Sequence, residues 1–349
     1  MAKIIINGGK TLNGEVKISG AKNAVLPIMS ATLLCPGKFT IYNVPDLRDT
    51  RTMMQLLEIT GAKTSFENGT VHVDTNDVNN PEAPYDLVKT MRASFYVLGP
   101  LISRFGKVQV SLPGGCAWGP RPVDYHLKGL EKLGANLDLE GGNILAEADE
   151  LIGCDIHFEF PSVGATGNLA MAAVRAKGVT RLFNCAKEPE ITQLCEFLNS
   201  MGANIKGIGT DSLVIEGVKE LNQADITVIP DRIEAGTFLM AGALNGEIKI
   251  NNVIPLHLEK VTNKLIETGC QININDDSIS ITPPENLKSV DMTTAVFPGF
   301  PTDLQAQWVA LMSLSDSSSI VTDTVYHDRF SHIPELARLG ANIKVEKNT

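Results

Sequence analysis

The stretch LLEITGAKTSFENGTVHVD, residues 56–74, decides the fold because it contains the unit from which the chain is built. An amphipathic segment ends at Gly-Ala, and two short segments of alternating apolar and polar residues follow around a turn. A glycine at this place is typical of a helix C-cap, and alternation is typical of half-buried strands. The stretch therefore predicts a helix followed by a β-hairpin.

The same pattern returns four more times along the 349-residue chain. Its marker glycines are separated by 73, 68, 67 and 71 residues. They are Gly61, Gly134, Gly202, Gly269 and Gly340. Between the hairpins lie stretches of small residues that are apolar almost all round, such as GATGNLAMAAVRAKG at 164–178, and these predict buried helices. The sequence therefore predicts an α/β protein of repeats of about 70 residues, each a strand, a buried helix, a strand, an exposed helix and a hairpin.

The fifth copy, ELARLGANIKVEKNT at 335–349, differs from the others. Ile343 and Val345 alternate with polar residues, as a half-buried strand requires, but the second strand with which the other hairpins return is missing. This favours the interpretation that the chain is truncated at its C-terminus. The alternative is a degenerate capping repeat, which terminal repeats often are.

Composition limits the class of protein. Hydrophobic residues make up 43% and charged residues 20% of the chain, which excludes wholesale disorder. The formal net charge of −10 argues against a general binder of nucleic acid or of anionic membranes, and the longest uncharged runs are too short to span a bilayer. The six cysteines form no CxxC pair and no zinc-like cluster with histidine, which predicts free thiols in a reducing cytoplasm and no metal site.

Two glycine-containing segments are candidate anion sites. In SGAKNA, residues 19–24, Lys22 stands where a glycine turn enters a buried helix, so a cation and free N–H groups meet there. The alternative is a plain turn with a solvated lysine. The loop SLPGGCAWGPRP, residues 111–122, holds Cys116 and Arg121.

The cysteine loop can be neither a helix nor a central strand, and long irregular loops often carry function. A thiol near arginines can ionise below its usual pKa of about 8.5. The alternative is an inert cysteine in a surface loop. Asp124 and His126 follow closely and are placed to line the same site, although a lone histidine is more often structural.

Four further segments carry polar residues at the ends of predicted elements. Arg92 begins a buried helix, where a cation opposes the helix dipole and needs an anionic partner. The segment FPSVGAT at 160–166 is a second small-residue turn that enters an apolar helix. In FPTDLQAQ at 300–307, Asp303 is either a helix N-cap or a catalytic carboxylate. The segment VYHDRF at 325–330 follows a strand.

Taken together, these segments resemble the UDP-N-acetylglucosamine 1-carboxyvinyltransferase family, a MurA-like branch of the EPSP synthase-like enolpyruvyl transferases. The resemblance runs from Met1 to Thr349. The blocks that carry it are SGAKNA (19–24), APYDLVKTMRAS (83–94), LPGGC (112–116), RPVD (121–124), SVGAT (162–166), PDRIEAGTF (230–238), FPTDLQAQ (300–307) and RFSHIPEL (329–336).

The resemblance implies a two-domain fold of inside-out α/β barrels built from six repeats, of which the sixth is missing here. One domain is expected to cover 22–229, and the other to join 1–21 to 230–349, with the active site in the cleft between them. The implied reaction transfers the enolpyruvyl group of phosphoenolpyruvate to the 3-hydroxyl of UDP-N-acetylglucosamine and releases phosphate. It is the first committed step of peptidoglycan synthesis, and it uses these two small molecules without a cofactor.

The resemblance also implies roles for single residues. Cys116 is expected to be the general acid and the residue that fosfomycin alkylates, and Asp303 the base that faces the sugar hydroxyl. Lys22, Asn23 and Arg121 are expected to hold phosphoenolpyruvate, and Lys22 is also expected to be catalytic, because such a cation neutralises charge in both the ground state and the transition state. The expected contacts of the UDP-sugar are Arg92, Arg121, Pro122, Val123, Asp124, Tyr125, Ser162, Val163, Gly164, Asp303 and Val325, with Arg329 also in the cleft.

Departures from the family pattern leave other functions open. The family usually has glutamate where this chain has His327, and often lysine where it has Phe160. One alternative is a non-catalytic UDP-sugar-binding relative or an inactive fragment, against which Cys116, Lys22 and Arg121 together argue. Another is a carboxyvinyltransferase that acts on a different uridine-based acceptor.

Overall fold

The computed structural model of the protein describes residues 5, 7–89, 91–112 and 123–349. The chain forms two compact units. The first joins the segment that ends at Ile18 to Pro230–Thr349, and the second is Ser19–Ile229. Within the described residues, no helix is long and apolar enough to cross a membrane.

Helices and strands follow one another in the order that the sequence repeat predicts. The strands are β1 (Leu12–Lys17), β2 (Lys38–Tyr42), β3 (Lys63–Glu67), β4 (Thr70–Asp74), β5 (Glu82–Ala83), β6 (Lys107–Ser111), β7 (Asn136–Glu140), β8 (Asn143–Glu147), β9 (Asp155–His157), β10 (Val179–Phe183), β11 (Asn204–Lys206), β12 (Ser212–Glu216), β13 (Ile226–Thr227), β14 (Gly246–Asn251), β15 (Gln271–Ile274), β16 (Ser278–Thr282), β17 (Met292–Thr293) and β18 (Val321–Thr322). The α-helices are α1 (Lys22–Ala31), α2 (Arg48–Ile59), α3 (Tyr85–Val88), α4 (Leu98–Phe105), α5 (Asp124–Lys132), α6 (Val163–Ala173), α7 (Pro189–Ser200), α8 (Arg232–Asn245), α9 (Glu259–Glu267), α10 (Gln305–Met312) and α11 (Ile333–Arg338). Short 3-10 helices cover Thr32–Leu34, Arg92–Val97, Pro255–Leu258 and Thr302–Leu304.

The sheets share one design. A joining strand lies parallel to a central strand, which lies antiparallel to the returning strand of the hairpin that follows it. The sheets of the second unit have the orders β13-β2-β4-β3, β5-β6-β8-β7 and β9-β10-β12-β11. The first unit has the order β1-β14-β16-β15 and the parallel pair β17-β18. In the second unit the joining strand β13, near the end of the unit, completes the sheet that contains β2, near its start.

The marker glycines end the amphipathic helices as predicted. Gly61, Gly134, Gly202 and Gly269 have φ angles from 96° to 103°, a region that favours glycine, and each stands between a helix and a hairpin. The strand predicted around Ile343 in the fifth copy is wrong, because the structure assigns no strand to 341–349. A strand needs a hydrogen-bonded neighbour, and in the other copies the returning strand provides it.

The helices predicted to be buried are buried. Residues 24–31 of α1 and 165–173 of α6 are buried without interruption. A glycine lets α4 approach α6 closely, since a Cβ on Gly99 of α4 would lie 2.3 Å from the carbonyl oxygen of Asn168 in α6. Residues of α1, α4 and α6 belong to the apolar core of the second unit.

Three asparagines stand directly after central strands, with left-handed φ angles of 57° to 58°. Each donates its side-chain Nδ2 to the carbonyl oxygen of the residue that follows the joining strand, and so ties the two parallel strands together. The pairs are Asn43 with Val228 (2.8 Å), Asn184 with Phe158 (2.9 Å) and Asn252 with Ile18 (2.7 Å). Asparagine suits this position because it tolerates the left-handed region better than most residues.

The asparagine at a strand end contributes both its conformation and its hydrogen bond. We expect Asn184→Gly to lose only the bond to Phe158, whereas Asn184→Ala also places a Cβ in the left-handed region. The free energy of unfolding should therefore fall by about 1 kcal/mol more for the alanine variant than for the glycine variant. Urea unfolding of both variants checks this, and equal stabilities would contradict it.

Candidate active site

The predicted site residues lie at two kinds of junction in the repeat. Lys22, Arg92, Ser162 and Asp303 each lie at the start, or shortly before the start, of the buried helix that follows a joining strand. Residues 123–125 and 325–329 follow the central strands β6 and β18. The repeat therefore brings chemically different side chains to equivalent places in successive copies.

The N-terminus of α1 combines a cation with uncapped backbone N–H groups. Ala21 provides no side-chain cap and the first turn contains no acidic residue, so the positive end of the helix dipole is not neutralised within α1. Lys22 begins the helix with a side chain that is 42% exposed, and its Nζ lies 3.4 Å from Oδ2 of Asp49 in α2. Asn23 beside it is exposed. This arrangement can hold an anion.

Close packing of the backbone requires a glycine at position 20, in the same segment as Lys22. A Cβ added there would lie 1.7 Å from the carbonyl oxygen of Asn43, one of the asparagines that end central strands. The N–H of Ala21 donates to the carbonyl oxygen of Ile229 at 2.8 Å. The position of Lys22 is therefore fixed by backbone packing rather than by the lysine itself.

Arg92 is an exposed residue at the start of the 3-10 helix Arg92–Val97. Its charge affects the pKa of two other side chains. It opposes the rise that burial causes in the pKa of Tyr96, and it adds to the fall that burial causes in the pKa of His126. Burial and Arg92 together lower the pKa of His126 to about 3.

His126 belongs to a buried polar network that ties α4, α5 and α6 together. Asn168 Nδ2 lies 2.9 Å from His126 Nδ1 and donates to the carbonyl oxygen of Phe95 at 3.0 Å. Asn168 Oδ1 accepts from the N–H of Gly99 at 2.6 Å. Because the amide donates, His126 Nδ1 accepts, and the neutral ring carries its proton on Nε2. A Cβ on Gly164 would lie 3.2 Å from that nitrogen.

The N-termini of α5 and α6 carry the predicted contacts of the second unit. Ser162 caps α6, accepting from the N–H of Ala165 at 3.3 Å, and Val163 and Gly164 after it are half-buried. At the start of α5, Val123 and the two residues after it are half-buried.

The first two side chains of α5 have different surroundings. Asp124 Oδ2 lies 3.3 Å from Lys128 Nζ, while its Oδ1 is buried and has no hydrogen-bond partner in the described part of the chain. The ring of Tyr125 packs edge-on against Phe158, with centroids 6.2 Å apart.

Cys116, Arg121 and Pro122 lie outside the described residues, and their predicted roles stay predictions. The described cysteines are free. Burial raises the thiol pKa of each of them, to about 12 for Cys185 and Cys195, so these thiols stay protonated at neutral pH. Among the described residues no group of three or more His, Cys, Asp or Glu could hold a metal ion.

The first unit brings Asp303 and Arg329 together. Arg329 Nη1 lies 2.6 Å from Asp303 Oδ1 and donates to Thr302 Oγ1 at 3.3 Å. The interpretation of Asp303 as an N-cap is wrong, because it lies inside the 3-10 helix Thr302–Leu304 and its carboxylate pairs with Arg329 instead. The side chain of Asp303 is 40% exposed and that of Arg329 20%, so the carboxylate is open to a ligand.

Asp323 is a residue that the sequence analysis missed. Its carboxylate is fully buried and accepts hydrogen bonds from Thr294 Oγ1, the N–H groups of Val325 and Tyr326, and Thr302 Oγ1, at 2.6 to 2.9 Å. Val325 is thereby held at the start of the turn that carries Arg329. The two side chains that depart from the family pattern, His327 and Phe160, are exposed.

Comparison with known proteins shows the family to which the chain belongs. The family model of EPSP synthase (3-phosphoshikimate 1-carboxyvinyltransferase) matches residues 6–349. The chain belongs to this family of carboxyvinyltransferases. The UDP-N-acetylglucosamine 1-carboxyvinyltransferase of Chlorobaculum parvum is 53% identical over 352 residues, which cover 100% of this chain and 83% of the relative. That of Desulfosudis oleivorans is 51% identical over 350 residues, covering 100% and 84%.

Solved structures agree with this class. The enolpyruvyl transferase NikO from Streptomyces tendae superposes with a TM-score of 0.89 at 25% identity, covering 98% of this carboxyvinyltransferase and 82% of NikO. EPSP synthase from Acinetobacter baumannii gives 0.68 at 18% identity, covering 91% and 75%, which shows the fold alone. The predicted EPSP synthase-like α/β fold is confirmed.

The lowered pKa of the buried His126 predicts how the free energy of unfolding depends on pH. His126 stays neutral in the folded carboxyvinyltransferase down to a pKa of about 3, whereas in the unfolded chain it takes up a proton near pH 6.5. Its contribution is therefore complete above pH 6.5 and is lost as the pH falls below it, by up to about 1.4 kcal/mol per pH unit. The difference in unfolding free energy between the native protein and His126→Gln should narrow from pH 7 to pH 4.

Urea unfolding of both proteins at several pH values checks this expectation. The variant is the matched control, because it keeps every other titrating group. A difference in unfolding free energy that stays constant over this range would contradict the prediction. It would show that folding does not lower the pKa of His126.

Proposed function

We propose that the chain transfers the enolpyruvyl group of phosphoenolpyruvate to the 3-hydroxyl of UDP-N-acetylglucosamine and releases phosphate. The observation that carries the proposal is the identity of 53% over the whole chain to a protein named for this transfer. We further propose a cytoplasmic location and a role in peptidoglycan precursor synthesis. The free cysteines of the described chain suit a reducing compartment.

The proposed chemistry is an addition followed by an elimination. The sugar hydroxyl loses its proton and its oxygen bonds to C2 of phosphoenolpyruvate, while C3 gains a proton and becomes a methyl group. A proton then leaves that methyl group, the C2–O bond to phosphate breaks, and the double bond forms again. The step needs one group that accepts a proton from the hydroxyl and one that donates a proton to C3.

We assign the first role to Asp303 and the second to Cys116. Asp303 suits a base because its carboxylate is 40% exposed and is held by a single guanidinium at 2.6 Å. Cys116 is assigned by resemblance, and the thiols of the described cysteines are unsuited to the role because burial raises their pKa and so makes them weak proton donors.

Phosphoenolpyruvate and the diphosphate of the acceptor are both anionic and require cations. Lys22, together with the uncapped N-terminus of α1, is proposed to hold phosphoenolpyruvate with Asn23 and Arg121. The residues proposed for the acceptor are Arg92, Arg121, Pro122, Val123, Asp124, Tyr125, Ser162, Val163, Gly164, Asp303, Val325 and Arg329.

The proposed base gives a direct test. Phosphate release from phosphoenolpyruvate should depend on UDP-N-acetylglucosamine, and Asp303→Asn should lower kcat by a factor of about 10² to 10⁴ because no group then takes the hydroxyl proton. Asp328→Asn, an exposed carboxylate near Arg329 in the chain, is the matched control and should keep the native rate. Release that needs no acceptor, or a native rate for Asp303→Asn, would contradict the proposal.

A further inference from the structure

Asp323 occupies the repeat position at which three other copies have asparagine. The strand register establishes the equivalence. The N–H of Thr294, after joining strand β17, donates to the carbonyl oxygen of Thr322, the last residue of β18. The corresponding bonds in the other copies are Val228 to Tyr42, Phe158 to Phe183 and Ile18 to Asn251. Asp323 therefore stands where Asn43, Asn184 and Asn252 stand.

The structural task of those asparagines is carried out by a neighbour in this copy. Each asparagine donates to the carbonyl oxygen of the residue after the joining strand. Here that carbonyl, of Thr294, accepts from Thr324 Oγ1 at 2.6 Å. A carboxylate cannot donate this bond, and the threonine hydroxyl replaces it. The carboxylate of Asp323 is thus available for bonds that the other copies do not make.

Hydrogen bonds connect Asp323 through Thr302 to Arg329, which contacts the proposed base Asp303. Asp323 Oδ2 accepts from Thr302 Oγ1 at 2.6 Å, and Thr302 Oγ1 accepts from Arg329 Nη1 at 3.3 Å. The same Nη1 lies 2.6 Å from Asp303 Oδ1. A carboxylate only accepts, so the hydroxyl proton of Thr302 points to Asp323 and its lone pairs are left for Arg329. Hydrogen-bond donation therefore runs in one direction, from the guanidinium of Arg329 through Thr302 to Asp323.

The second oxygen of Asp323 shapes the turn that carries Arg329. Oδ1 accepts from the N–H groups of Val325 and Tyr326 at 2.9 and 2.7 Å. The carbonyl oxygen of Tyr326 then accepts from the N–H of Arg329 at 3.1 Å. One buried carboxylate thus holds both Thr302, beside Asp303, and the turn from which Arg329 reaches it.

We propose that Asp323 is a positioning residue for the reaction. It holds Arg329 in contact with Asp303 and so fixes the orientation of the proposed base. The inference rests on the proposed role of Asp303. It also explains why an acidic residue replaces asparagine at one copy of the repeat, at the junction beside a proposed catalytic carboxylate. Misplacement of a base by about 1 Å can cost a factor of about 10² in rate, so a buried bond of this kind has catalytic consequences.

Asp323→Asn tests the proposal because it restores the residue of the other copies. The amide can keep the bonds at Oδ1, so we expect the variant to fold, with little change in its unfolding midpoint. Its Nδ2 donates to Thr302 where Oδ2 accepted, which turns the hydroxyl proton away from Asp323 and towards Arg329. We expect kcat for phosphate release to fall by a factor of about 10 to 10², with a change of less than about threefold in KM for phosphoenolpyruvate.

Variants of Thr302 separate positioning from stability. Thr302→Val should lower kcat as Asp323→Asn does, and Thr302→Ser, which keeps the hydroxyl, should restore the native rate. The double variant Asp323→Asn with Thr302→Val should be no slower than either alone, because both break the same chain of bonds. Asp291→Asn, whose carboxylate accepts from the N–H of Ile320 at 2.7 Å in the same unit, is the matched control with native kcat.

Crystal structures of the native protein and Asp323→Asn give a second measurement that does not need turnover. The contact of Arg329 Nη1 with Asp303 Oδ1 should persist in the native protein and be lost in the variant. If the contact persists and kcat is native, the inference about Asp323 is wrong while the proposed function stands. If the native protein releases no phosphate, the proposed function is wrong, and the fate of this contact still decides whether Asp323 positions Arg329.

Discussion

The parallel pairing of a joining strand with a central strand is the interaction on which the rest of the structure depends. An isolated hairpin is marginally stable in water, and here each hairpin gains a strand from another segment of its unit. Parallel strands end at the same edge of a sheet, so the loops that follow them emerge side by side. One loop leads into a buried helix and the other into the next helix of the repeat, and the proposed functional side chains lie in these loops or in the first turn of the helices that follow them.

The repeat keeps the backbone of these junctions and changes their chemistry. After the joining strands stand a lysine at Lys22, an arginine at Arg92, a serine cap at Ser162 and a carboxylate at Asp303. After the central strands, asparagine ties the strands together in three copies, and in a fourth Thr324 makes that bond while Asp323 takes the position of the asparagine. The proposed functional side chains therefore differ between copies at positions where the order of elements is the same.

The structural features that could be predicted from the sequence are those that depend on local patterns of residues. Glycine in the left-handed region ends a helix whatever surrounds it, so Gly61 and its repeats located the units, and all-round apolar stretches located the buried helices. The sequence could not predict partners brought together by folding. Asp303 looked like an N-cap because Arg329 is 26 residues away in the chain, and Asp323 was missed because its bonds to Thr294 and Thr302 span 29 and 21 residues.

The most direct test of this account is the transfer reaction in deuterium oxide. Addition to C3 makes a methyl group that carries one deuterium and two hydrogens, and the elimination that follows removes only one of the three. The account predicts an enolpyruvyl product whose C3 carries deuterium in most molecules, formed only when the acceptor is present, as measured by mass spectrometry and proton NMR. A product with no deuterium at C3 would contradict addition and elimination, and with them the roles given to Asp303 and Cys116.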